Sequence, residues 1–254
     1  MNSLTGQAAV VTGAASGIGR SIVDAFTAEG ASVLAADLSS SGLEVFAGRE
    51  LVFPMDVDVT DSPRVEAMVD AAVERWGRVD ILCNNAGAPD RCRGVDECPD
   101  EDWENGLALH LTAPFVASRR ALSYMLAAGR GLIINTVSTA GITGGNGGAA
   151  YTASKHGLVG LSRSIAAFYG PEGIRCIAMC PGAVDTGATV LMSGRRERGE
   201  LSARSEVARA RTSKAFIRRA KPDEFGALAL YLAAGGADVL NGAVLTANSG
   251  YSAY

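Results

Sequence analysis

Residues 8–19 read AAVVTGAASGIG, and this stretch decides the fold of the chain. Its first part, Ala8–Thr12, is an apolar run with the length of a buried strand. Glycines at 13, 17 and 19 then form a turn, and an apolar pattern of helical period follows at once. N–H groups exposed at such a helix start favour a pyrophosphate. The stretch therefore predicts the opening unit of a nucleotide-binding sheet, although tight packing of a strand against a helix also requires glycines.

The alternation that begins at residue 8 continues along the chain. Short apolar runs predict seven strands, at 8–12, 32–37, 51–56, 81–84, 131–138, 175–181 and 243–247. Helical patterns lie between them, at about 17–29, 62–76, 101–128, 152–169 and 223–234. Ser62 is expected to cap the second helix, with Pro63 in its first position. The pattern predicts an α/β protein with a Rossmann-type doubly wound sheet of seven parallel strands and helices on both faces, in a single domain 1–254.

Composition disfavours several classes of protein. The chain has 27 acidic and 23 basic residues, a net charge of −4, which argues against nucleic acid as a partner. Its two histidines and five cysteines form neither a CxxC pair nor an HExxH helix, so we expect no metal site. The longest charge-free stretch, 131–154, is interrupted by polar residues, which argues against a membrane span. An odd cysteine count and the absence of a signal-peptide pattern lead us to expect a cytoplasmic protein.

The ends of the second and third strands indicate how a dinucleotide is recognised. Asp37 lies eighteen residues beyond the last glycine of the turn, where a carboxylate accepts hydrogen bonds from a ribose 2′-hydroxyl and repels a 2′-phosphate. No Lys or Arg follows at 38–41, so the sequence favours NAD over NADP. Asp56 and Val57 reach the same edge and are expected beside the adenine. An Asp at a strand end is also a common turn former, so both are informative only together with the glycines.

The most specific local signal is the run Tyr151-Thr152-Ala153-Ser154-Lys155, which places Tyr151 and Lys155 on one face of a predicted helix. A phenol ionises at pH about 10 in water, and a nearby ammonium favours the phenolate. Ser138 ends the fifth strand, at the edge where ligands of open α/β sheets bind. In most helices such a pair is an amphipathic Tyr beside a solvated Lys. Here the three side chains converge on a sheet with a nucleotide turn, which predicts proton exchange with an alcohol.

Five features, in this order, resemble the short-chain dehydrogenase/reductase family over essentially the whole chain. They are the turn from Thr12 to Gly19, the run Asn84-Asn85-Ala86-Gly87, the group Ser138, Tyr151 and Lys155, the run Pro181-Gly182 with Thr186, and Asn241-Gly242 before the last strand. The resemblance implies that Tyr151 is the acid/base, that Lys155 lowers the pKa of Tyr151 and holds the nicotinamide ribose, and that Ser138 positions the substrate oxygen.

The resemblance also implies which residues surround the cofactor. They are Gly13, Ser16, Gly17, Ile18 and Gly19 in the turn, Asp37, Asp56 and Val57 beyond the second and third strands, Asn85, Ala86 and Gly87 after the fourth, Tyr151 and Lys155, and Pro181, Gly182, Val184 and Thr186 after the sixth. Hydride then passes between the nicotinamide and a carbinol or carbonyl carbon. Such proteins are commonly homotetramers, built through the long helices at about 101–128 and 152–169 and the C-terminal strand.

Three positions depart from the pattern of that family. His110 stands where the family usually has an Asn that helps to hold a water in a proton relay. A neutral imidazole can serve the same purpose, because one nitrogen donates and the other accepts. A histidine bonded to a buried backbone carbonyl is the equal alternative. Cys180 stands before Pro181 where Asn is common, and Asn248-Ser249-Gly250 replaces the usual Asp-Gly-Gly.

Residues 187–221 interrupt the alternation and, by the same resemblance, form the lid over the substrate. They hold ten Lys or Arg against three Glu, a local charge of +7. One helix from about 202 is expected to present a basic stripe made of Arg204, Arg211, Lys214, Arg218 and Lys221. A solvated face is the default explanation. The alternative is that Arg211 and Lys214 meet an anionic group on the substrate.

The sequence thus predicts an NAD-dependent dehydrogenase that oxidises a secondary alcohol, or reduces the ketone, of a small-molecule substrate. The glycine-rich run 141–148 is expected to form one wall of its pocket. A ketoreductase similar to 3-oxoacyl-(acyl-carrier-protein) reductase is the alternative among enzymes, and such enzymes usually prefer NADPH. A sensor that binds NAD(H) without catalysis is the alternative of another class, because fold alone does not establish function.

Overall fold

A parallel sheet organises the chain, for which a computed structural model describes residues 3–38, 42–212, 218–235 and 237–252. Its strands, in chain order, are β1 (Ala8–Thr12), β2 (Ser32–Asp37), β3 (Val52–Asp56), β4 (Ile81–Asn84), β5 (Gly131–Thr136), β6 (Ile174–Pro181) and β7 (Val244–Ala247). In space their order is β3-β2-β1-β4-β5-β6-β7, and every pairing is parallel. The order reverses between β1 and β4, so a crevice forms where these two strands end.

Helices cover both faces of the sheet. In the described residues they are α1 (Gly17–Ala28), α2 (Ser62–Trp76), α3 (Asp100–Leu107), α4 (Ala113–Ala128), α5 (Ala149–Tyr169), α6 (Gly187–Glu197), α7 (Ala203–Thr212) and α8 (Pro222–Ala233). One apolar layer contains Phe26 of α1 and Phe225 of α8, and the other contains Met68 of α2 and Met125 of α4. All four side chains are buried. The predicted seven-stranded α/β fold is therefore confirmed.

Most differences from the predicted elements are small shifts of their ends. The fifth strand stops at Thr136 rather than 138, and helix α5 begins at Ala149 rather than 152. The predicted cap of α2 was wrong, because the side chain of Asp61, not Ser62, accepts the hydrogen bond from the N–H of Arg64. The predicted helix 101–128 contains one wider π turn, Ala108–Thr112, between α3 and α4.

The helix predicted from about 202 is present as α7, which begins at Ala203, but the basic stripe predicted on it was wrong. A helix already begins at Gly187, and α7 starts at Ala203 as a second one. Arg218 and Lys221 lie outside these helices, where Arg218 pairs with Glu224 and Lys221 precedes α8. The predicted stripe therefore does not form as drawn. The spacing of the basic residues could not indicate ion pairs with residues of other segments, such as the pair between Arg218 and Glu224 of α8.

Buried polar side chains connect the middle strands beneath the edge of the sheet. Nδ2 of Asn84 donates to Oδ1 of Asn135 at 2.8 Å, and Nδ2 of Asn135 donates to Oγ of Ser162 at 2.8 Å. All three residues are buried. Because a buried amide left without partners costs about 1 to 3 kcal/mol, this satisfied network fixes β4, β5 and α5 relative to one another.

Candidate active site

Two of the three turn glycines are required by the packing of the protein itself. A Cβ atom at Gly13 would lie 2.8 Å from Cα of Ala86, and one at Gly19 would overlap the carbonyl of Gly13. The turn is also fastened to the segment after β4. Nδ2 of Asn85 donates to the carbonyls of Thr12 and Gly13, at 3.1 and 3.3 Å. These glycines therefore join the turn to the Asn85–Gly87 segment, as the packing alternative required.

The third glycine marks the place that suits an anionic ligand. Gly17 has φ +53°, and only the side chain of Thr186 lies close to the position of its missing Cβ. Helix α1 starts there, with no side-chain cap from Ser16, so its first N–H groups, Ile18 among them, have no helical acceptor. A cavity of about 550 Å³ adjoins this helix start and is lined by Gly17 and Thr186. A pyrophosphate group fits such a position, because it accepts hydrogen bonds from those N–H groups.

Asp37, which is predicted to bind the ribose of the cofactor, lies beside the same turn. Oδ2 of Asp37 accepts a hydrogen bond from the N–H of Ala15 at 2.9 Å, and Oδ1 accepts one from Leu38 at 2.8 Å. Asp56 pairs in register with Asp37 across β2 and β3, and Val57 donates its N–H to the carbonyl of Asp37. The carboxylate of Asp37 thus stands at the end of β2 and ties that strand to the turn.

The side chains of Tyr151 and Lys155 lie one helical turn apart at the carboxyl edge of the sheet. Nζ of Lys155 is 5.6 Å from the centroid of the Tyr151 ring and donates to the carbonyl of Thr136 at 2.9 Å. Oγ of Ser138 accepts a hydrogen bond from the N–H of Ala140 at 3.1 Å. The ammonium is therefore fixed where β5 ends, close to the phenol.

Burial dominates the ionisation of this pair. It raises the pKa of Tyr151 to about 12, with the Ser138 hydroxyl acting in the opposite direction and Asp90 adding to the rise. It also lowers the pKa of Lys155 to about 8. The pKa of Tyr151 thus lies above its usual value, contrary to the lowering expected from Lys155. Desolvation disfavours the charged form of each group, and the ammonium is bonded to Thr136.

His110 stands in the π turn and completes this group. Its ring lies edge-on to Tyr151, with centroids 4.9 Å apart and planes at 81°. The side chain is buried, and its Nδ1 has no hydrogen-bond partner among the described residues. Burial, and then repulsion by Lys155, hold the pKa of His110 well below its usual value, with the carbonyl of Ala88 acting in the opposite direction. The imidazole is therefore neutral at pH 7.

A continuous series of contacts connects the glycine turn to the phenol. Asn85 bonds to Gly13, and a Cβ atom at Gly87 would lie 3.3 Å from Nδ1 of His110. His110 in turn packs on Tyr151. The structure therefore brings the predicted turn and the predicted Tyr and Lys to one side of the sheet edge.

A cavity of about 200 Å³ lies against the phenol. Residues from the loop after β4, the π turn, α5 and the lid line it, including Asp90, Arg91, Arg93, His110, Tyr151 and Arg195. Arg93 is paired with Asp102, whereas Nη1 of Arg195 donates to the carbonyls of Pro89 and Asp90, at 3.0 and 2.8 Å. The cavity therefore combines apolar walls, such as Leu109 and Ala150, with cationic side chains.

The remaining predicted residues are placed around this edge, with two exceptions. Pro181 ends β6, Gly182 lies too close to Asn248 to carry a side chain, Val184 is buried, and Thr186 precedes α6. The exceptions are the two lid cations. Arg211 is exposed on α7 and does not line the described cavity, and Lys214 lies outside the described residues.

The structure adds features that sequence reasoning missed. Asp90 and Arg195 belong to no motif, and their positions follow only from the folded loop and lid. Cys180 is buried near Lys155, and burial raises the pKa of its thiol. The glycine-rich run packs directly on the phenol ring, since a Cβ atom at Gly147 would lie 2.6 Å from Cδ1 of Tyr151. No residue of 141–148 lines the described cavity, so a pocket wall formed by this run stays a prediction.

Comparison with known proteins agrees with this geometry. The family model described as short chain dehydrogenase matches residues 7–196. The chain belongs to the short chain dehydrogenase family. As a member, it is an oxidoreductase that binds a nicotinamide cofactor and transfers a hydride between that cofactor and an alcohol or ketone.

Several relatives cover nearly the whole chain. A 3beta-hydroxysteroid dehydrogenase 2 of Eggerthella lenta is 42% identical, over 99% of this chain and 96% of its own length. A D-threitol dehydrogenase of Mycolicibacterium smegmatis is 36% identical, over 98% of this chain and 94% of its own.

Solved structures give the same answer. A levodione reductase matches with a TM-score of 0.87 and 30% identity, over 99% of this chain and 100% of its own. A putative NAD(P) dependent gluconate 5-dehydrogenase of Beutenbergia cavernae, with NADP bound at low occupancy, matches with a TM-score of 0.85 and 33% identity, over 100% of this chain and 99% of its own. In the part of the chain that is described, no helix has both the length and the hydropathy to cross a bilayer.

Proposed function

We propose that this protein is an NAD-dependent dehydrogenase of a secondary alcohol, in which Tyr151 exchanges the proton and residues 187–221 form the substrate lid of a single catalytic domain. The observation that carries the proposal is the placement of Tyr151, Lys155 and Ser138 at the sheet edge, in contact through His110 with the glycine turn. A phenol beside a buried ammonium suits general acid/base catalysis of alcohol oxidation.

In the proposed mechanism each side chain has a separate task. Ser138 donates a hydrogen bond to the substrate oxygen, and Tyr151 Oη removes the hydroxyl proton as the carbonyl forms. The ammonium of Lys155 stabilises the phenolate form of Tyr151, which accepts this proton and becomes the neutral phenol. A bound nicotinamide would supply the acceptor for the hydride that leaves the carbinol carbon. In the reverse direction Tyr151 returns the proton to the ketone oxygen.

We assign the cofactor residues as follows. The start of α1 holds the pyrophosphate, and Asp37 the ribose next to the adenine. The cofactor segments are completed by Gly13, Ser16, Gly17, Ile18 and Gly19, by Asp56 and Val57, by Asn85, Ala86 and Gly87, and by Pro181, Gly182, Val184 and Thr186. Gly87 lies against His110, which supports the assignment of this segment to the nicotinamide end.

Cofactor choice gives the first prediction. Because a 2′-phosphate would meet the carboxylate of Asp37, we expect NADH to bind at least about 30-fold more tightly than NADPH. Asp37→Asn keeps an acceptor for Ala15 and removes the charge, so we expect it to reduce that ratio about tenfold. Asp238→Asn, at an exposed position paired with Arg175 and outside the described cavities, is the matched control and leaves the ratio unchanged. Equal affinities in the wild type, measured by fluorescence titration, would contradict the assignment.

A substrate panel separates the proposed dehydrogenase from its alternatives. The names of the relatives include a hydroxysteroid, a sugar alcohol, a diketone and a sugar acid. We therefore expect NADH formation with at least one member of a panel made of a 3β-hydroxysteroid, D-threitol, D-gluconate and D-glucitol. Strict dependence on NADPH with acyl-carrier ketones would support the ketoreductase. Tight NADH binding without turnover of any member would support the sensor.

The anionic-substrate hypothesis moves from Arg211 to the arginines of the cavity. Arg91 and Arg195 line the same cavity as Tyr151, and a carboxylate there gains charge-assisted hydrogen bonds. D-gluconate and D-glucitol test this, since they differ only in a carboxylate at one end. A kcat/KM for gluconate no higher than that for glucitol would refute it.

His110 gives a second prediction within the proposed function. We assign its neutral imidazole to a hydrogen bond with a water or substrate hydroxyl beside Tyr151, because its Nδ1 is buried without a partner among the described residues. His110→Asn keeps a donor and an acceptor, and its kcat should stay within about tenfold of wild type. His110→Phe should lower kcat about 100-fold. His156→Phe is the control, because His156 is exposed on α5 and its Nδ1 contacts the backbone carbonyl of Thr152. Full activity of His110→Phe would make His110 a structural residue only.

We infer a cytoplasmic homotetramer. Exposed aromatic side chains on the long helices support the assembly: Phe115 of α4 is 44% exposed and Phe168 of α5 75% exposed. The free cysteines support a reducing compartment. Sedimentation velocity of the holoenzyme should give the mass of four chains, and cell fractionation should recover the protein with cytosolic markers.

A further inference from the structure

Asp90 binds the start of the helix that carries Tyr151. Its Oδ2 accepts a hydrogen bond from the N–H of Gly148 at 2.7 Å. The carbonyl of Arg93, three residues further along the same loop, accepts one from the N–H of Ala149 at 2.8 Å. Helix α5 begins at Ala149, so Tyr151 is its third residue. The loop therefore supplies acceptors that the first turn of α5 cannot find within the helix.

The contact between Asp90 and Gly148 leaves no space for a side chain at position 148. A Cβ atom at Gly148 would lie 2.5 Å from Oδ2 of Asp90 and 2.6 Å from the nitrogen of Arg93. Oδ1 of Asp90 accepts a second hydrogen bond, from the N–H of Cys92 at 3.1 Å. Cys92 has φ +52°, an unfavourable conformation for a residue with a side chain. A loop held this way keeps its carboxylate in one position.

The same loop is bound from the other side by the lid. Nη1 of Arg195, in α6, donates to the carbonyls of Pro89 and Asp90. The loop thus lies between the lid and the first turn of α5. Both Asp90 and Arg195 line the cavity that holds Tyr151.

We propose that Asp90 is a positioning residue of the reaction: it fixes the first turn of α5, and so the phenol of Tyr151, and it places a negative charge beside that phenol. The inference rests on the proposed role of Tyr151. Its two parts, the anchor and the charge, are separable by substitution.

The charge acts among a small set of groups. Lys155 from its own helix, His110 from the π turn and Ser138 from the segment after β5 face Tyr151. The loop adds Asp90 and Cys92. The other charged groups of the cavity are Arg91 and Arg93 of the loop, Asp102 of α3 and Arg195 of the lid. Burial is the main cause of the raised pKa of Tyr151, and Asp90 adds to it because a carboxylate disfavours a nearby phenolate. Removal of this charge therefore lowers the pKa of Tyr151.

Two variants of Asp90 and one control test the proposal. Asp90→Asn removes the charge and keeps one oxygen to accept from Gly148, while its NH2 group no longer accepts from Cys92. The pH profile of kcat/KM for alcohol oxidation should shift down by about 0.5 to 1 unit. Asp90→Ala also removes the anchor, so kcat should fall about tenfold or more, with the KM for NAD⁺ within about twofold of wild type. Asp96→Asn is the matched control, since Asp96 is exposed and pairs with Arg204. Its profile should coincide with that of the wild type.

Hydrogen exchange gives a readout that needs no turnover. In the NADH complex, the amides of residues 148–151 should exchange faster in Asp90→Ala than in the wild type or in Asp96→Asn. Unchanged exchange in Asp90→Ala, or an unshifted pH profile in Asp90→Asn, overturns the proposal. A wild-type protein that turns over no panel substrate, or an active Tyr151→Phe, would instead refute the proposed function. The two failures are therefore distinguishable.

Discussion

Tyr151→Phe is expected to retain NADH binding and to lose turnover by about 1,000-fold or more, because general acid/base catalysis alone contributes about 10²- to 10⁴-fold. The substitution removes only the hydroxyl. The ring remains, and with it the edge-on contact with His110 and the packing against Gly147. The substrate oxygen then loses both its proton acceptor and a hydrogen bond in the transition state.

The measurement combines steady-state kinetics with a binding titration. We expect kcat/KM for the best panel substrate to fall, and the Kd for NADH to stay within about twofold of wild type. Tyr124→Phe is the control, because the Tyr124 hydroxyl donates to Asp70 away from the cavity. Turnover retained in Tyr151→Phe would remove the phenol from the mechanism and leave the sensor or another base to be considered.

Sequence reasoning predicted those parts of the protein that depend on the local spacing of apolar and polar residues. Strands β1, β2 and β4 were predicted with the bounds that the structure shows, because an apolar run bounded by turn residues specifies both ends. Tyr151 and Lys155 were predicted to share a face because their spacing is one helical turn. Their convergence with Ser138 followed from the common carboxyl edge of parallel strands.

The parts that could not be predicted depend on contacts between distant segments. The π turn at His110 is a local change of helix type that no apolar period encodes. The bond from Asp90 to Gly148 joins residues 58 positions apart, in a loop without a motif. The pKa of Tyr151 was predicted from its charged neighbour, yet burial raises it, and burial is a property of the folded site.

Lys155→Met is expected to lower kcat/KM for oxidation by about 100-fold or more. Without the ammonium, the phenolate of Tyr151 loses its nearest cation, and the cofactor ribose loses the donor assigned to it. Oxidation by the wild type should rise with pH, since the proton acceptor must be unprotonated, and reduction should fall. Arg75→Met also replaces a long cation by methionine, at an exposed position in the last turn of α2, and should leave both rates unchanged. Wild-type kinetics in Lys155→Met would contradict the role of the ammonium.

The stability of the same variant separates loss of function from loss of fold. Because burial lowers the pKa of Lys155 from 10.5 to about 8, it destabilises the folded protein below pH 8 by about 3 kcal/mol. Lys155→Met removes this destabilisation but also loses the hydrogen bond to Thr136, which offsets about 1 to 2 kcal/mol of the gain. The free energy of unfolding of Lys155→Met should therefore exceed that of the wild type by about 1 to 2 kcal/mol at pH 7.

The gain in stability of Lys155→Met should become smaller as the pH rises, because the wild-type lysine then loses its charge. The wild-type penalty is present in full below pH 8, declines as the folded protein loses the proton, and vanishes above pH 10.5, where the lysine is neutral in both states. Urea unfolding of Lys155→Met and the wild type at several pH values measures the difference. A variant that is inactive yet more stable at pH 7 has lost its chemistry rather than its structure, which is the pattern expected where a charge is buried for catalysis.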